Sequence, residues 1–266
     1  MIKSYYKFTR EPFNRDIAID GLYMHSGFQT AYERLEHTAK RKLFAVLTGD
    51  SGIGKTTVIR RLSERMDANR YVVLYLSDSA LTPRNFYFET LHQLSIAPKF
   101  YRGDAKRQLQ KALALLEAEQ KTPVIIVDEG HLLDRSMLEE IRFLLNLKMD
   151  SYSPLSLILV GQSELKDILR LQINSAIAQR IDFKFHMNSF GLAETTEYIR
   201  QHLKTAGNIA EIFTQSAIKT IQEYSGGVAR RINKLCSLVL HAGVSQNQQL
   251  IDDHLVRDVI AIECEW

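Results

Sequence analysis

Four short apolar runs, Leu43-Phe-Ala-Val-Leu-Thr48, Val72-Val-Leu-Tyr-Leu76, Val124-Ile-Ile-Val127 and Leu155-Ser-Leu-Ile-Leu-Val160, punctuate the first two thirds of the chain. Each is of strand length and free of charge, as expected of strands buried on both faces. Between them, apolar positions recur every three or four residues, predicting helices over 57–66, 85–95, 105–119 and 136–149. This alternation implies an α/β fold: a mainly parallel sheet flanked by helices on both faces. Ile181-Asp-Phe-Lys-Phe-His186 alternates apolar and polar residues, as a half-buried last strand would. Helical patterns then follow one another over 193–206, 216–224, 228–242 and 252–262. Ser216 and Asp252 are expected to cap helix starts, and Gly207 and Gly243 to stop helices. The pattern divides the chain near Ser189, into an α/β core over 1–189 and a small all-helical domain over 190–266.

Composition narrows the picture only a little. With 266 residues, 45% hydrophobic and 24% charged, the chain can bury a sizeable core. No stretch reaches the roughly 18 apolar residues of a membrane span, and Met1 to Arg15 holds no signal-peptide core, so a cytoplasmic protein without membrane contact is expected. Cys236 and Cys264 lie far apart and outside any zinc-ligand spacing, which argues against a disulfide framework or a structural zinc. A net charge of +3 is compatible with a polyanionic partner without requiring one.

The chemistry is carried by Gly49-Asp50-Ser51-Gly52-Ile53-Gly54-Lys55-Thr56, followed by Thr57, which matches the G-x-x-x-x-G-K-[ST] phosphate loop. It lies where that loop must, after a predicted strand and opening a predicted helix. Its glycines let backbone N–H groups converge on a phosphate, and the helix N-terminus adds the positive end of its dipole. Lys55 is expected to reach the β- and γ-phosphates of ATP, and the Thr56 hydroxyl to ligate Mg2+.

Asp128 and Glu129 end the third run. Asp128 is expected to hold the magnesium ion, directly or through water, and Glu129 to polarise the attacking water. Gln162, with Ser163 second, ends the next strand, where a polar side chain can reach the γ-phosphate or the water. Arg180, before the last strand, and Arg230, opening a helix of the second domain, are candidates to neutralise charge developing on a transferred phosphoryl group.

In this order, the constellation resembles the AAA+ ATPases. The resemblance implies Gln162 as first sensor, Arg180 as a finger donated to a neighbouring subunit and Arg230 as second sensor in a helical lid. It also implies self-assembly as a ring, hexameric for example, or as a helical filament. A narrower similarity, to the general secretion pathway protein A (ExeA) group, is carried by Phe8-Thr-Arg-Glu-Pro-Phe13, Asp128-Glu-Gly-His-Leu-Leu133, Glu140-Ile-Arg-Phe-Leu-Leu-Asn146, Leu159-Val-Gly-Gln162, Gln179-Arg-Ile181 and Tyr224-Ser-Gly-Gly227. One departure is Gly130, where the group usually has alanine; glycine there is expected to loosen the catalytic turn.

Relatives of that group serve bacterial transposons as ATPase subunits. Its secretion members continue into a membrane span and a cell-wall-binding domain, whereas this sequence ends after the lid. The expectation is therefore a transposition regulator that assembles on double-stranded DNA and recruits a transposase, with a secretion or envelope-assembly ATPase as the alternative. The phosphate contacts implied are Thr82, Arg84, Lys99, Arg102 and Lys106, with Phe100 and Tyr101 expected to anchor their loop in the core rather than stack on bases. The aromatic N-terminus, Tyr5-Tyr6-Lys-Phe8 with Pro12-Phe13, resembles the segment that covers adenine; stacking on the base and packing in the core are both open.

Overall fold

The computed structural model describes residues 2–14, 17–145, 153–208 and 210–264. A one-turn α1 (Ile2–Tyr5) precedes α2 (Ser26–Arg41), β1 (Phe44–Gly49), α3 (Lys55–Arg65) and β2 (Tyr71–Leu76). Then come α4 (Pro83–Gln93), α5 (Arg102–Ala118), β3 (Thr122–Val127), α6 (Arg135–Leu144), β4 (Ser156–Gly161), α7 (Glu164–Arg170), α8 (Ser175–Ala178) and β5 (Phe183–Met187). The chain closes with α9 (Leu192–Thr205), α10 (Gln215–Ser225), α11 (Ala229–Ser245) and α12 (Asp253–Cys264). The end of the helix expected to reach Met149, and Asn146 of the family motif, lie outside the described residues.

The five strands form one parallel sheet in the order β2-β3-β4-β1-β5. Every residue of β1 and β4 is buried, as their unbroken apolar runs require for strands covered on both faces. The edge strands differ: Phe183 and Phe185 of β5 are only partly buried and Lys184 is exposed, which is the alternation seen in the sequence. Phe44, Leu74, Phe86, Tyr87, Leu109, Ile125 and Met137 anchor the core around the sheet.

By its contacts the chain forms two units. One comprises 27–50 and 55–187. The other comprises the segment up to Ser26, Ser51–Gly54, and the chain from Asn188 onward. The N-terminal aromatics thus group with the C-terminal helices. Tyr6, Phe8 and Phe13 are buried there with Phe190, Ile199, Leu235 and Val239, and the Phe13 ring stacks on His202 with centroids 5.1 Å apart. Burial pushes the His202 imidazole down to about 4, and its Nδ1 accepts the Phe13 N–H at 3.2 Å.

Two capping expectations are corrected. Thr214, not Ser216, caps α10: its hydroxyl accepts the Ala217 N–H at 3.1 Å, and Ser216 lies inside the helix. Gly243 does not end α11, which continues to Ser245; a side chain at 243 would instead overlap the Tyr6 hydroxyl packed against it. Asp252 does cap α12, accepting the Leu255 N–H at 3.0 Å, and Gly207 follows the end of α9 with φ +94°. No helix among the described residues is long and apolar enough to cross a membrane.

Candidate active site

The loop from Asp50 to Gly54 joins the end of β1 to the first turn of α3. Gly54 has φ +108°, a conformation that L side chains rarely adopt, so glycine is required there by the backbone alone. Lys55 is buried, and its Nζ donates to the carbonyls of Gly49 at 2.7 Å and Asp50 at 2.9 Å. The ammonium is therefore held over the mouth of its own loop. Thr56, next on α3, brings its hydroxyl 3.5 Å from Oδ2 of Asp128. A hydroxyl and a carboxylate in such proximity are the hard oxygen donors that suit a magnesium ion.

Asp128 is buried just past the end of β3. Both its oxygens are engaged: Oδ1 accepts the Glu129 N–H at 2.8 Å, and Oδ2 accepts the Tyr75 hydroxyl at 2.6 Å. Burial first, and then the Asp128 carboxylate, push the Tyr75 phenol above its usual range, so it remains a donor. Glu129 sits in the left-handed region at φ 54°, a position that costs a non-glycine residue about 1–2 kcal/mol. It opens the 3-10 turn Gly130–Leu132 and presents a half-exposed carboxylate. His131 Nδ1 lies 3.5 Å from Glu129 Oε2 and 3.4 Å from the backbone N–H of Gln162.

Gly130, expected to loosen this turn, instead permits close packing. A Cβ there would stand 2.9 Å from Leu159 Cγ and 3.1 Å from the Val160 carbonyl oxygen, so the turn closes on β4 in a space that a methyl group would have to force open. Past the end of β4, the Ser163 hydroxyl donates to Asp50 Oδ1 at 2.5 Å, while Gln162 contributes its backbone N–H to His131. Ser163 is thus the residue of this pair whose side chain touches the phosphate loop.

Arg180 is half-buried in the turn between α8 and β5, and its N–H donates to Ile177. Arg230 stands in the first turn of α11; its N–H donates to the Gly52 carbonyl at 3.0 Å and its Nη1 lies 3.4 Å from the Ser51 hydroxyl. The candidate nucleic-acid contacts are dispersed in role. The Thr82 hydroxyl caps α4 by accepting the Asn85 N–H, Arg102 and Lys106 pair with the buried Glu140 at 2.9 Å and 2.7 Å, and Arg84 and Lys99 are exposed. Phe100 and Tyr101 do not anchor the loop: they are 72% and 71% exposed.

Tyr75 and His131 were not identified from the sequence. Tyr75 shares β2 with a second tyrosine, Tyr71, and nothing in the sequence tells which of the two hydroxyls faces the site. His131 gave no sign beyond its place in the motif.

A phosphate loop joining strand to helix, with an acid-bearing strand beside β4 in a parallel sheet, defines a nucleotide-binding protein of the P-loop class. The profile of the AAA domain matches residues 37–169, and the chain belongs to that family. It is 32% identical over 214 residues to General secretion pathway protein A of Aeromonas hydrophila, covering 78% of this chain and 38% of that protein. The chain thus spans well under half of that relative. Among solved structures, it is similar to the ORC2 protein of Aeropyrum pernix in its ADPNP–ADP complexes, with a TM-score of 0.69 at 18% identity, covering 94% of this chain and 70% of that one. It is also similar to Drosophila ORC bound to DNA, with a TM-score of 0.65 at 17% identity and coverages of 99% and 65%. At such identities the likeness concerns the fold.

Proposed function

We propose that this chain is a magnesium-dependent ATP hydrolase whose nucleotide cycle governs its assembly. The observation that carries this reading is the 3.5 Å approach of Thr56 to Asp128, with Lys55 folded over the loop on one side and Glu129 next in sequence on the other. When bound, a magnesium ion supplies charge neutralisation for the phosphates of ATP. Thr56 and Asp128 are the residues that would hold it. Loop N–H groups from Asp50 to Thr57 orient the phosphates, and Lys55 exchanges two carbonyl acceptors for phosphate oxygens. Glu129 takes a proton from the attacking water at its carboxylate, with Gln162 or Ser163 fixing that water or the terminal phosphate. Arg180 acts on the site of a neighbouring copy, and Arg230, in a lid formed by 190–266, acts as second sensor of the nucleotide. The assembly is a ring or a helical filament.

Lys55→Ala is expected to weaken ATP binding at least tenfold, measured by titration with a fluorescent nucleotide analogue. Unchanged affinity would remove the phosphate-loop assignment.

For the partner, we infer double-stranded DNA and a role in regulating transposition by recruiting a transposase. Support comes from the exposed Arg84 and Lys99, from the fold shared with Drosophila ORC bound to DNA, and from the similarity to a group whose relatives serve transposons. A second reading, a secretion or envelope-assembly ATPase acting on proteins, is favoured by the identity to General secretion pathway protein A. The steady-state ATPase rate with and without duplex DNA, at two salt concentrations, separates them. Stimulation that fades with salt is expected of a DNA-assembled ATPase; a rate indifferent to DNA points to the protein partner.

A further inference from the structure

The segment joining α4 to α5 displays two adjacent aromatic rings to solvent, and its construction keeps them there. The Gln108 side chain clamps the segment from both sides, accepting the Lys99 N–H at 2.7 Å and donating to the Ala97 carbonyl at 3.2 Å. Tyr101 is the N-cap of α5, its carbonyl accepting the N–H groups of Asp104 and Ala105 at 3.0 Å. An aromatic side chain cannot supply the capping acceptor that serine or aspartate would, so the helix start gives up a cap in favour of an exposed ring. Local choices that run against stability in this way concentrate at functional positions.

The neighbourhood is cationic. The Arg84 guanidinium lies 4.5 Å from the Phe88 ring centroid and 5.1 Å from that of Phe100, and its Nε donates to the Phe100 carbonyl at 3.4 Å. The Phe100 and Tyr101 rings meet edge to face, with centroids 5.3 Å apart. Lys99 is exposed beside them. Glu140 is buried between the two cations Arg102 and Lys106 and also accepts the Tyr87 hydroxyl, so one carboxylate balances only one of its two partners. Asp104 is paired with Arg107 at 2.6 Å. Exposed π-faces rimmed by an excess of positive charge complement a chain of phosphates carrying unstacked bases.

We propose that Phe100 and Tyr101 form a base-stacking step that engages single-stranded or locally unstacked nucleic acid, with Arg84, Lys99 and Arg102 on the flanking phosphates. This rests on the nucleic-acid reading above and adds that the contact reaches the bases, so that distorted sites are distinguished from regular duplex. Stacking on an exposed ring is worth about 1–3 kcal/mol per base, or roughly 5- to 150-fold in affinity.

The test uses the full chain with ATP and three labelled probes: single-stranded DNA, regular duplex, and the same duplex carrying an unpaired bulge. Phe100→Ala and Tyr101→Ala are expected to lose at least fivefold in affinity for the single-stranded and bulged probes, with the salt slope unchanged because no phosphate contact is removed. Tyr101→Trp should restore binding. Both positions are on the surface, so melting temperatures should match wild type. Lys99→Ala should weaken all three probes and flatten the salt dependence. If the alanine variants bind every probe as wild type does while Lys99→Ala weakens them, stacking is overturned and DNA binding stands. Loss on regular duplex equal to that on the other probes would also overturn it. A wild-type chain that binds no probe overturns the nucleic-acid reading itself, leaving the rings to a protein partner.

Discussion

Gly227→Ala is expected to destabilise the unit built from the N-terminal segment and the C-terminal helices by on the order of 4 kcal/mol, in the range that marks a specific structural failure rather than a routine substitution. Two effects combine. Gly227 has φ +73°, where an alanine is strained by about 1–2 kcal/mol. In addition, a Cβ there would overlap the Phe190 carbonyl oxygen and stand 2.8 Å from the Phe190 nitrogen, backbone atoms that cannot turn aside. That same Phe190 N–H donates to the Gly227 carbonyl at 2.9 Å, so relieving the overlap also breaks a hydrogen bond. Gly226 provides the control. It too is left-handed, at φ +59°, but a Cβ there meets nothing within 4 Å, so Gly226→Ala bears the backbone cost alone. Thermal denaturation should place Gly226→Ala several degrees below wild type, as the backbone cost alone requires, and Gly227→Ala far below both; equal melting temperatures for the two variants would mean that Phe190 can move away freely.

The contrast between these neighbouring glycines shows where sequence reasoning stops. Tyr224-Ser-Gly-Gly227 was visible as a motif, but which glycine is irreplaceable depends on Phe190, more than thirty residues earlier. The central strands were legible because a parallel strand covered on both faces must be continuously apolar, and β1, β3 and β4 are. Helix α2 was not read at all. Its buried face is Phe28, Ala31, Leu35, Thr38 and Ala39, correctly spaced but made largely of small or polar residues that give little contrast. Gly243 looked like a stop because a glycine that admits a neighbouring ring and a glycine that ends a helix are the same letter. In the candidate site, Lys55 and Thr56 were legible because the phosphate-loop motif fixes their spacing, and Asp128 and Glu129 because they end an unbroken apolar run. Tyr75 and His131 reach the acids across strand and turn, through contacts that no spacing encodes. Phe100 and Tyr101 were misjudged for the opposite reason, because large aromatic rings usually find a core, and here the Gln108 clamp holds the segment so that they do not.

Glu129→Gln is expected to lower ATP turnover by roughly 10²–10⁴-fold while leaving nucleotide affinity within a factor of two or three, since removing a general base costs about that much. The amide preserves the size of the side chain and leaves untouched the backbone N–H that Glu129 donates to Asp128 Oδ1 at 2.8 Å, so the oxygen pair proposed to hold magnesium keeps its geometry. What is lost is the ability to accept a proton from water. The φ of 54° at Glu129, just past the end of β3, sets the direction in which its carboxylate is presented, and the glutamine variant leaves that backbone unchanged. Single-turnover measurement of phosphate release, together with a separate titration of ATP binding, distinguishes the two quantities. A parallel fall in both would make Glu129 part of the binding site and not the base. A rate within a few-fold of wild type would move the proton acceptor elsewhere.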